Sequence, residues 1–372
     1  MLNKIMFFLP SLGGGGAERT VIQLANNLVQ QGRKVDVVVC DITGVKGKLL
    51  PEVDPQIQLV DLNCGRVANA IFPLKKLLQA VDYEVLVATQ THTNIIAALA
   101  KRLAKSSVRL ILREVSTPSK NLKLQGTAKF ILKTLVNWTY PMAQQVVCVS
   151  KGVETDFREY YSYTQDNLVT IYNPVIDDTY IEKLQATVEH RFFQPENKVI
   201  LAVGRLTEAK NFGFLIRSFH ALYQQHPETR LIILGEGELR AEFESLIQEL
   251  GLSEVVDLPG FDPNPYAYFK YAELFVLSSN WEGLPGVLIQ ALASKIKVVS
   301  TNCPSGPMEI LANAKFGLLV ECNDQAGMTA AMQQAIFGQY VTYDETELTT
   351  HCLQFHKHTV QQRYLELMES ST

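Results

Sequence analysis

Val203-Gly204-Arg205-Leu206-Thr207-Glu208-Ala209-Lys210-Asn211 closes an apolar, β-branched run and opens a helical pattern. Further along, the same transition recurs at Ser279-Asn280-Trp281-Glu282-Gly283-Leu284-Pro285-Gly286-Val287-Leu288-Ile289-Gln290-Ala291. Such junctions lie at the carboxyl edge of the strands in an open α/β sheet, where ligands bind. The first stretch supplies two cations, Arg205 and Lys210. The second supplies the Glu282 carboxylate, a turn of small residues and the Gln290 amide. A phosphate-bearing sugar nucleotide suits this mixture: cations for the diphosphate, polar side chains for the hydroxyls.

Working outward, short β-branched runs alternate with helical periodicity along the whole chain, the pattern of parallel α/β layers. Strands are expected at residues 4–9, 34–40, 84–88, 109–112, 145–149 and 168–172, with helices such as 17–31 and 94–104 between them. Asn173-Pro174 stops this series, and the polar segment 177–197 reads as a linker. A second series follows at 198–203, 230–234, 254–258, 273–277, 297–300 and 317–320, with helices that include 212–225, 239–250 and 286–293. The expected fold is α/β, with two Rossmann-like domains facing a central cleft: residues 1–180, on the acceptor side, and residues 181–354, which bind the nucleotide. The last helical stretch, 358–369, has no strand after it and could pack anywhere; a return of residues 355–372 to the first domain would tie the halves together.

The 372 residues suffice for two domains of ordinary size, and 47% hydrophobic with 19% charged content is that of a soluble globular protein. Residues 1–180 carry 20 Lys and Arg against 15 Asp and Glu, whereas the remainder carries 14 against 23. The basic half points to an anionic partner, a membrane surface or a phosphorylated acceptor, or else reflects an uneven scatter of solvated charge. No nucleic-acid partner is expected. Six scattered cysteines read as buried thiols in a reducing compartment. The start of the chain has no signal-peptide layout, and no apolar run approaches the ~18–20 residues that span a bilayer. A cytoplasmic protein is expected.

Leu9-Pro10-Ser11-Leu12-Gly13-Gly14-Gly15-Gly16-Ala17-Glu18 joins the first strand to its helix. Glycines there let the backbone approach a ligand and present amides at a helix amino terminus, where anions are stabilised. A dinucleotide site is weighed because Asp41 ends the second strand, but Glu18 occupies the third glycine position of that fingerprint. His92 and the pair Arg113-Glu114 fall just past two strand ends and are candidates for the acceptor side, or for structural roles. Ser305 or Gly306 is expected to start a helix with Glu309 in its first turn. His351, Cys352, His356 and His358 match no zinc spacing and read as a helix end. Between Ser119 and Trp138, Lys120, Lys123, Lys129 and Lys133 alternate with apolar residues. This suits either an interfacial helix on anionic lipid or a helix packed on its own sheet with a lysine-rich outer face.

At these residues the chain resembles the family 4 retaining glycosyltransferases of GT-B architecture, over nearly its whole length. The similar motifs are the glycine-rich first loop with Ala17-Glu18, Gly204-Arg205 to Lys210, the spaced pair Glu282 and Gln290, Leu258-Pro259-Gly260-Phe261, and Cys303-Pro304-Ser305-Gly306-Pro307. The resemblance implies transfer from a UDP- or GDP-linked hexose or N-acetylhexosamine to a lipid-linked saccharide or a polysaccharide, with retention of configuration. It implies neither cofactor nor metal. Arg205 and Lys210 would take the donor diphosphate, with the Gly15 and Gly16 amides near it. Glu282 would contact the donor sugar, Gln290 the ribose, and Phe261 would border the base. Gly283, Leu284, Pro285, Gly286 and Val287 would complete the donor site. Glu282, Arg205, Lys210 and Glu114 form the expected catalytic set. There are two departures. Gln290 stands where the family has a second glutamate, and Arg113-Glu114 where many members have a histidine; Glu114 there resembles the branch using N-acetylhexosamine donors and lipid-linked acceptors. Alternatives are a GT-B nucleotide-sugar epimerase, a non-catalytic nucleotide-sugar-binding protein and, more distantly, a nicotinamide-dependent oxidoreductase.

Overall fold

Near-continuous apolar runs build two parallel sheets whose central strands are buried on both faces, as parallel sheets require. The computed structural model describes residues 4–121 and 125–370. One unit runs to Pro174 and takes in the chain again from Lys357; the other is Val175–His356.

In the first unit, β1 (Ile5–Leu9), β2 (Val35–Val39), β3 (Gln58–Asp61), β4 (Val85–Thr89), β5 (Arg109–Glu114), β6 (Gln145–Cys148) and β7 (Leu168–Thr170) form a sheet of order β3-β2-β1-β4-β5-β6-β7. All residues of β1, β2 and β4 are buried. The order reverses between β1 and β4, so their carboxyl ends flank the crevice of this unit. The final helix, Lys357–Glu369, belongs here: Val360, Tyr364 and Met368 join the core formed by Phe7, Val37 and Val147.

In the second unit, β8 (Lys198–Val203), β9 (Thr229–Leu234), β10 (Val256–Gly260), β11 (Leu274–Leu277), β12 (Lys297–Thr301) and β13 (Leu318–Val320) run in the order β10-β9-β8-β11-β12-β13. Its reversal lies between β8 and β11, directly below the two stretches that decided the sequence reading. The helices Phe212–Tyr223 and Gln325–Phe337 cover one face through Phe212, Leu215, Phe219, Met328 and Met332.

The structure departs from the sequence expectation at several places. β3 is an edge strand with only Leu59 and Val60 apolar, too short and polar to register as a strand. The linker holds a short helix, Tyr180–Gln185, and residue 176 bridges residue 356. β5 runs two residues longer than expected, so Arg113 and Glu114 are its last members rather than loop residues. Leu122, Lys123 and Leu124, part of the lysine-rich segment, lie outside the described residues.

Candidate active site

The turn after β8 is shaped by glycine. The Lys210 side chain passes over Gly204 so closely that a Cβ there would lie 2.8 Å from Lys210 Cε. Gly235, which follows β9, approaches closer still: its Cβ would stand 1.8 Å from the Gly204 carbonyl oxygen. Gly235 and Gly237 are site-shaping residues that the sequence reading did not single out; their Gly-Glu-Gly spacing after a strand was the available signal. The Gly204 amide donates to the Leu234 carbonyl and the Leu206 amide to Glu236, both at 2.9 Å, which fixes the turn against its neighbour.

This packing delivers Lys210 to Glu282. Lys210 Nζ donates to Glu282 Oε1 at 2.6 Å, and Ser279 Oγ donates to the same oxygen at 2.7 Å. Both partners are largely buried, with side-chain exposures of 18% and 14%. Their backbones are tied as well: Ser278 Oγ donates to the Lys210 carbonyl at 2.8 Å, and Asn280 N donates to the Ala209 carbonyl at 2.8 Å. On the other side the Glu282 amide donates to the Pro304 carbonyl at 2.7 Å, and Ser305 Oγ donates to the Gly283 carbonyl at 2.8 Å. The Cys303–Pro307 loop thus braces the turn, and the expected short helix is present as Pro307–Ile310 with Gly306 at its cap.

Arg205 stands on the same turn but is exposed, and its guanidinium has no partner among the described residues. Gly283 to Val287 lead into the helix Gly286–Ala293, capped by Pro285 without a side-chain hydrogen bond. Leu288 N donates to the Pro285 carbonyl at 3.1 Å, so the Gly286 and Val287 amides are the ones that remain at this helix start, where an anion is stabilised. Gln290 lies on this helix with its side chain beside the Tyr266 hydroxyl, which donates to the Val175 carbonyl at 3.4 Å. No motif in the sequence marks Tyr266 as a neighbour of Gln290. Phe261, 67% exposed, follows β10.

In the first unit the glycine loop opens the helix Gly16–Gln30 with Gly15 at its cap. The Glu18 carboxylate folds back over Gly15, where a Cβ would lie 2.3 Å from Oε2. Gln90, at the end of β4, reaches Glu18 Oε1 at 3.4 Å. Asp41 is engaged by Lys46 at 2.5 Å and by Thr43; the Lys46 hydrogen bond is the leading cause that holds its carboxyl down to about 2. His92 is exposed in the first turn of the helix Thr91–Ala104.

Arg113 and Glu114 require a correction. Successive strand residues point to opposite faces, and the two side chains part company. Arg113, 0% exposed, turns toward the final helix: Nε donates to Tyr364 Oη at 2.7 Å, and other guanidinium nitrogens reach Asn173 Oδ1 at 3.0 Å and Thr89 Oγ1 at 3.4 Å. It staples the terminal helix to the sheet and lines no surface. Glu114, 1% exposed, turns the other way and accepts from Thr91 Oγ1 at 3.0 Å, Asn94 Nδ2 at 2.9 Å and the Tyr140 hydroxyl. Burial outweighs these three donors and leaves its carboxyl pushed up to about 7.

Residues 14–179 match Glycosyltransferase Family 4, and residues 186–345 match the Glycosyl transferases group 1 family. The chain is 33% identical over 338 residues to the N-acetylgalactosamine-N,N'-diacetylbacillosaminyl-diphospho-undecaprenol 4-alpha-N-acetylgalactosaminyltransferase of Campylobacter jejuni, covering 88% of each chain. It is 26% identical over 341 residues to a second Campylobacter jejuni enzyme, a GalNAc-alpha-(1->4)-GalNAc-alpha-(1->3)-diNAcBac-PP-undecaprenol alpha-1,4-N-acetyl-D-galactosaminyltransferase, covering 89% of this chain and 88% of the relative. Among solved structures, Anabaena HepE in complex with UDP and glucose superposes with a TM-score of 0.78 at 19% identity over 100% of both chains, which shows the shared fold. With its motifs on the carboxyl edges of two Rossmann-like sheets, the chain belongs to the family 4 glycosyltransferases of GT-B architecture.

Proposed function

We propose that this glycosyltransferase moves an N-acetylhexosamine from a UDP-linked donor to a lipid-linked saccharide, with retention of configuration and without a metal. The observation that carries the reading is the Lys210–Glu282 pair at the strand reversal of the second unit, beside the open Arg205 guanidinium. Arg205 and Lys210 serve the donor diphosphate and stabilise the charge that grows on it as it leaves. Glu282 meets the sugar, the Gly286 and Val287 amides add anion contacts, and Phe261 flanks the base. Gln290 keeps its carbonyl oxygen for a ribose hydroxyl while its amide hydrogens serve Tyr266. The acceptor class follows the two Campylobacter jejuni relatives, which are named for undecaprenol-diphosphate substrates.

A lipid-linked acceptor calls for a membrane-facing surface, and the helix Gly126–Thr139 supports one. Phe130, Ile131 and Trp138 are 71%, 57% and 51% exposed, with Leu103 48% exposed on the neighbouring helix and Lys129 beside them. No helix among the described residues is long and apolar enough to cross a membrane. In this reading the protein works peripherally, on the cytoplasmic face.

The test is a thermal-shift panel of UDP-, GDP- and ADP-sugars, read through mass action. UDP-N-acetylhexosamines should raise the melting temperature most. Stabilisation by GDP- or ADP-sugars alone would overturn the donor assignment.

A further inference from the structure

We propose that Cys40 and Cys64 form a reversible redox site, a dithiol that a hydroperoxide closes to a disulfide. The pair lies wholly within the first unit and stands apart from the donor reading. Cys40 directly follows β2 and Cys64 comes just after β3, two neighbouring strands of the first sheet. Cys64 N donates to the Cys40 carbonyl at 2.9 Å, the Cys64 thiol donates to the same oxygen at 3.4 Å, and the two thiols lie side by side. The backbone hydrogen bond limits the span. With N–Cα of about 1.46 Å and a carbonyl oxygen about 2.4 Å from its own Cα, that 2.9 Å bond holds the two Cα atoms within about 6.8 Å. Disulfides join Cα atoms about 4.4–6.8 Å apart, so the pair is within reach of a bridge.

The turn that presents Cys64 is held from both sides. Asn63 and Gly65 flank it in left-handed backbone conformations, φ 45° and φ 67°. Asn63 N donates to Asp61 Oδ1 at 2.8 Å, and the Cys64 carbonyl accepts from Arg66 N at 2.7 Å and Asn69 Nδ2 at 3.0 Å. The two thiols differ in access: Cys40 is 1% exposed, whereas Cys64 is half-buried. Burial pushes the Cys40 thiol up, and the adjoining Cys64 and the Asp61 and Asp41 carboxylates add to this, so Cys40 stays protonated and leaves the first attack to Cys64. A bridge here fastens the edge strand β3, which pairs with β2 alone. It also adjoins the Asp41–Lys46 pair, where the Lys46 carbonyl accepts from Leu12 N at 2.7 Å at the entrance to the glycine loop.

In the first step the Cys64 sulfur attacks a hydroperoxide oxygen. The S–O bond forms, the O–O bond breaks, and the departing oxygen takes the Cys64 proton, leaving a sulfenic acid. The Cys40 sulfur then attacks the Cys64 sulfur: the S–S bond forms, the S–O bond breaks, and the hydroxyl leaves as water with the Cys40 proton. Together the two thiols give up two electrons, which reduce the hydroperoxide. A dithiol reductant reverses the bridge by thiol–disulfide exchange. In a reducing compartment such a bridge is transient and redox-sensing, not a fixed staple.

The experiment treats the folded, full-length protein with hydrogen peroxide, blocks the remaining thiols with iodoacetamide and digests with trypsin. The peptides 35–46 and 49–66 each contain one of the two cysteines and no other. They should be recovered joined, lighter by two hydrogens than their sum, and dithiothreitol should separate them. The oxidised wild type should melt roughly 5–10 °C above the reduced protein, a gain absent in Cys64→Ser. In Cys40→Ala the Cys64 sulfenic acid has no thiol to resolve it and should be captured by dimedone, whereas wild type should be labelled little. Peptides recovered unlinked from peroxide-treated wild type, or Cys64 joined to a different cysteine, overturn the site. If Cys40→Ala does not fold, the wild-type cross-link and the Cys64→Ser melting comparison decide.

Discussion

Lys210 and Glu282, separated in sequence by three strands, β9, β10 and β11, share one hydrogen bond of 2.6 Å at the strand reversal of the second unit. The pairing has an energetic consequence. Glu282 holds Lys210 across Gly204, while Lys210 and Ser279 together compensate the desolvated carboxylate. Neither side chain keeps its position alone, so their effects on catalysis must couple. In a double-mutant cycle, Lys210→Ala and Glu282→Ala should each lower kcat/KM, and the double variant should lose less than their sum, with a coupling energy of roughly 1–3 kcal/mol. Additive losses would mean that the two residues act on the donor independently.

Arg205 should behave differently because nothing in its own unit holds it. Arg205→Ala should lower turnover roughly 10²–10³-fold, the scale of one lost charge-stabilising donor, with the melting temperature of the free protein unchanged. Activity should survive EDTA. Loss with the chelator, restored by magnesium or manganese, would place the leaving-group charge on a metal instead.

Arg113 carries structural weight. Its guanidinium is fully buried and satisfied by Tyr364, Asn173 and Thr89, so Tyr364→Phe removes the partner of a buried charge. A cost of about 1.5–3 kcal/mol in unfolding free energy is expected, with donor KM unchanged. Chemical denaturation checks the first part and steady-state kinetics the second.

The central strands β8, β9, β11 and β12 of the second unit were legible because each is a short apolar run buried on both faces. β3 was not, since an edge strand of Gln58-Leu59-Val60-Asp61 needs only one packed face and half its residues are polar. The motif turns were legible as strand-to-helix junctions, but the pairing inside them was not. That Lys210 meets Glu282 depends on which strand lies beside β8, and sequence order does not state that β11 does. The fates of Arg113 and Glu114 turned on two residues of strand length: placed past the strand, they look like joint candidates for one surface. As strand residues they are sent to opposite faces, one to a staple and one to a buried carboxyl.

The Gly126–Thr139 helix should bind anionic lipid through both its apolar and its basic residues. Lys133 is tied to Ser162 Oγ at 2.8 Å and Lys129 lies 4.6 Å from the Tyr160 ring centroid, so Lys129 is the more exposed of the two. Replacing both by Glu should cost roughly 1 kcal/mol per lysine of liposome binding. Phe130→Ser with Trp138→Ser should weaken binding on neutral and anionic vesicles alike. Equal sedimentation of wild type and all variants with anionic liposomes would remove this surface from the membrane.

Gln290 offers the last test, because its amide has two claimants. The Tyr266 hydroxyl beside it already donates to the Val175 carbonyl, so its oxygen can take only an amide hydrogen of Gln290, which leaves the Gln290 carbonyl oxygen for a ribose hydroxyl. Removing the side chain should therefore produce two separable losses. Gln290→Ala should lower stability slightly by releasing the Tyr266 hydroxyl, and should raise the donor KM about fivefold, the worth of one neutral hydrogen bond of about 1 kcal/mol. Tyr266→Phe should reproduce the stability loss alone. Gln290→Glu should keep activity: a carboxylate accepts more strongly from ribose hydroxyls and accepts from Tyr266, but it also repels the diphosphate, so the net gain in donor binding is small. Deoxyribose forms of the nucleotide should be discriminated less by Gln290→Ala than by wild type. If the alanine variant shifts stability without changing either KM or that discrimination, Gln290 serves Tyr266 alone and the ribose is held elsewhere.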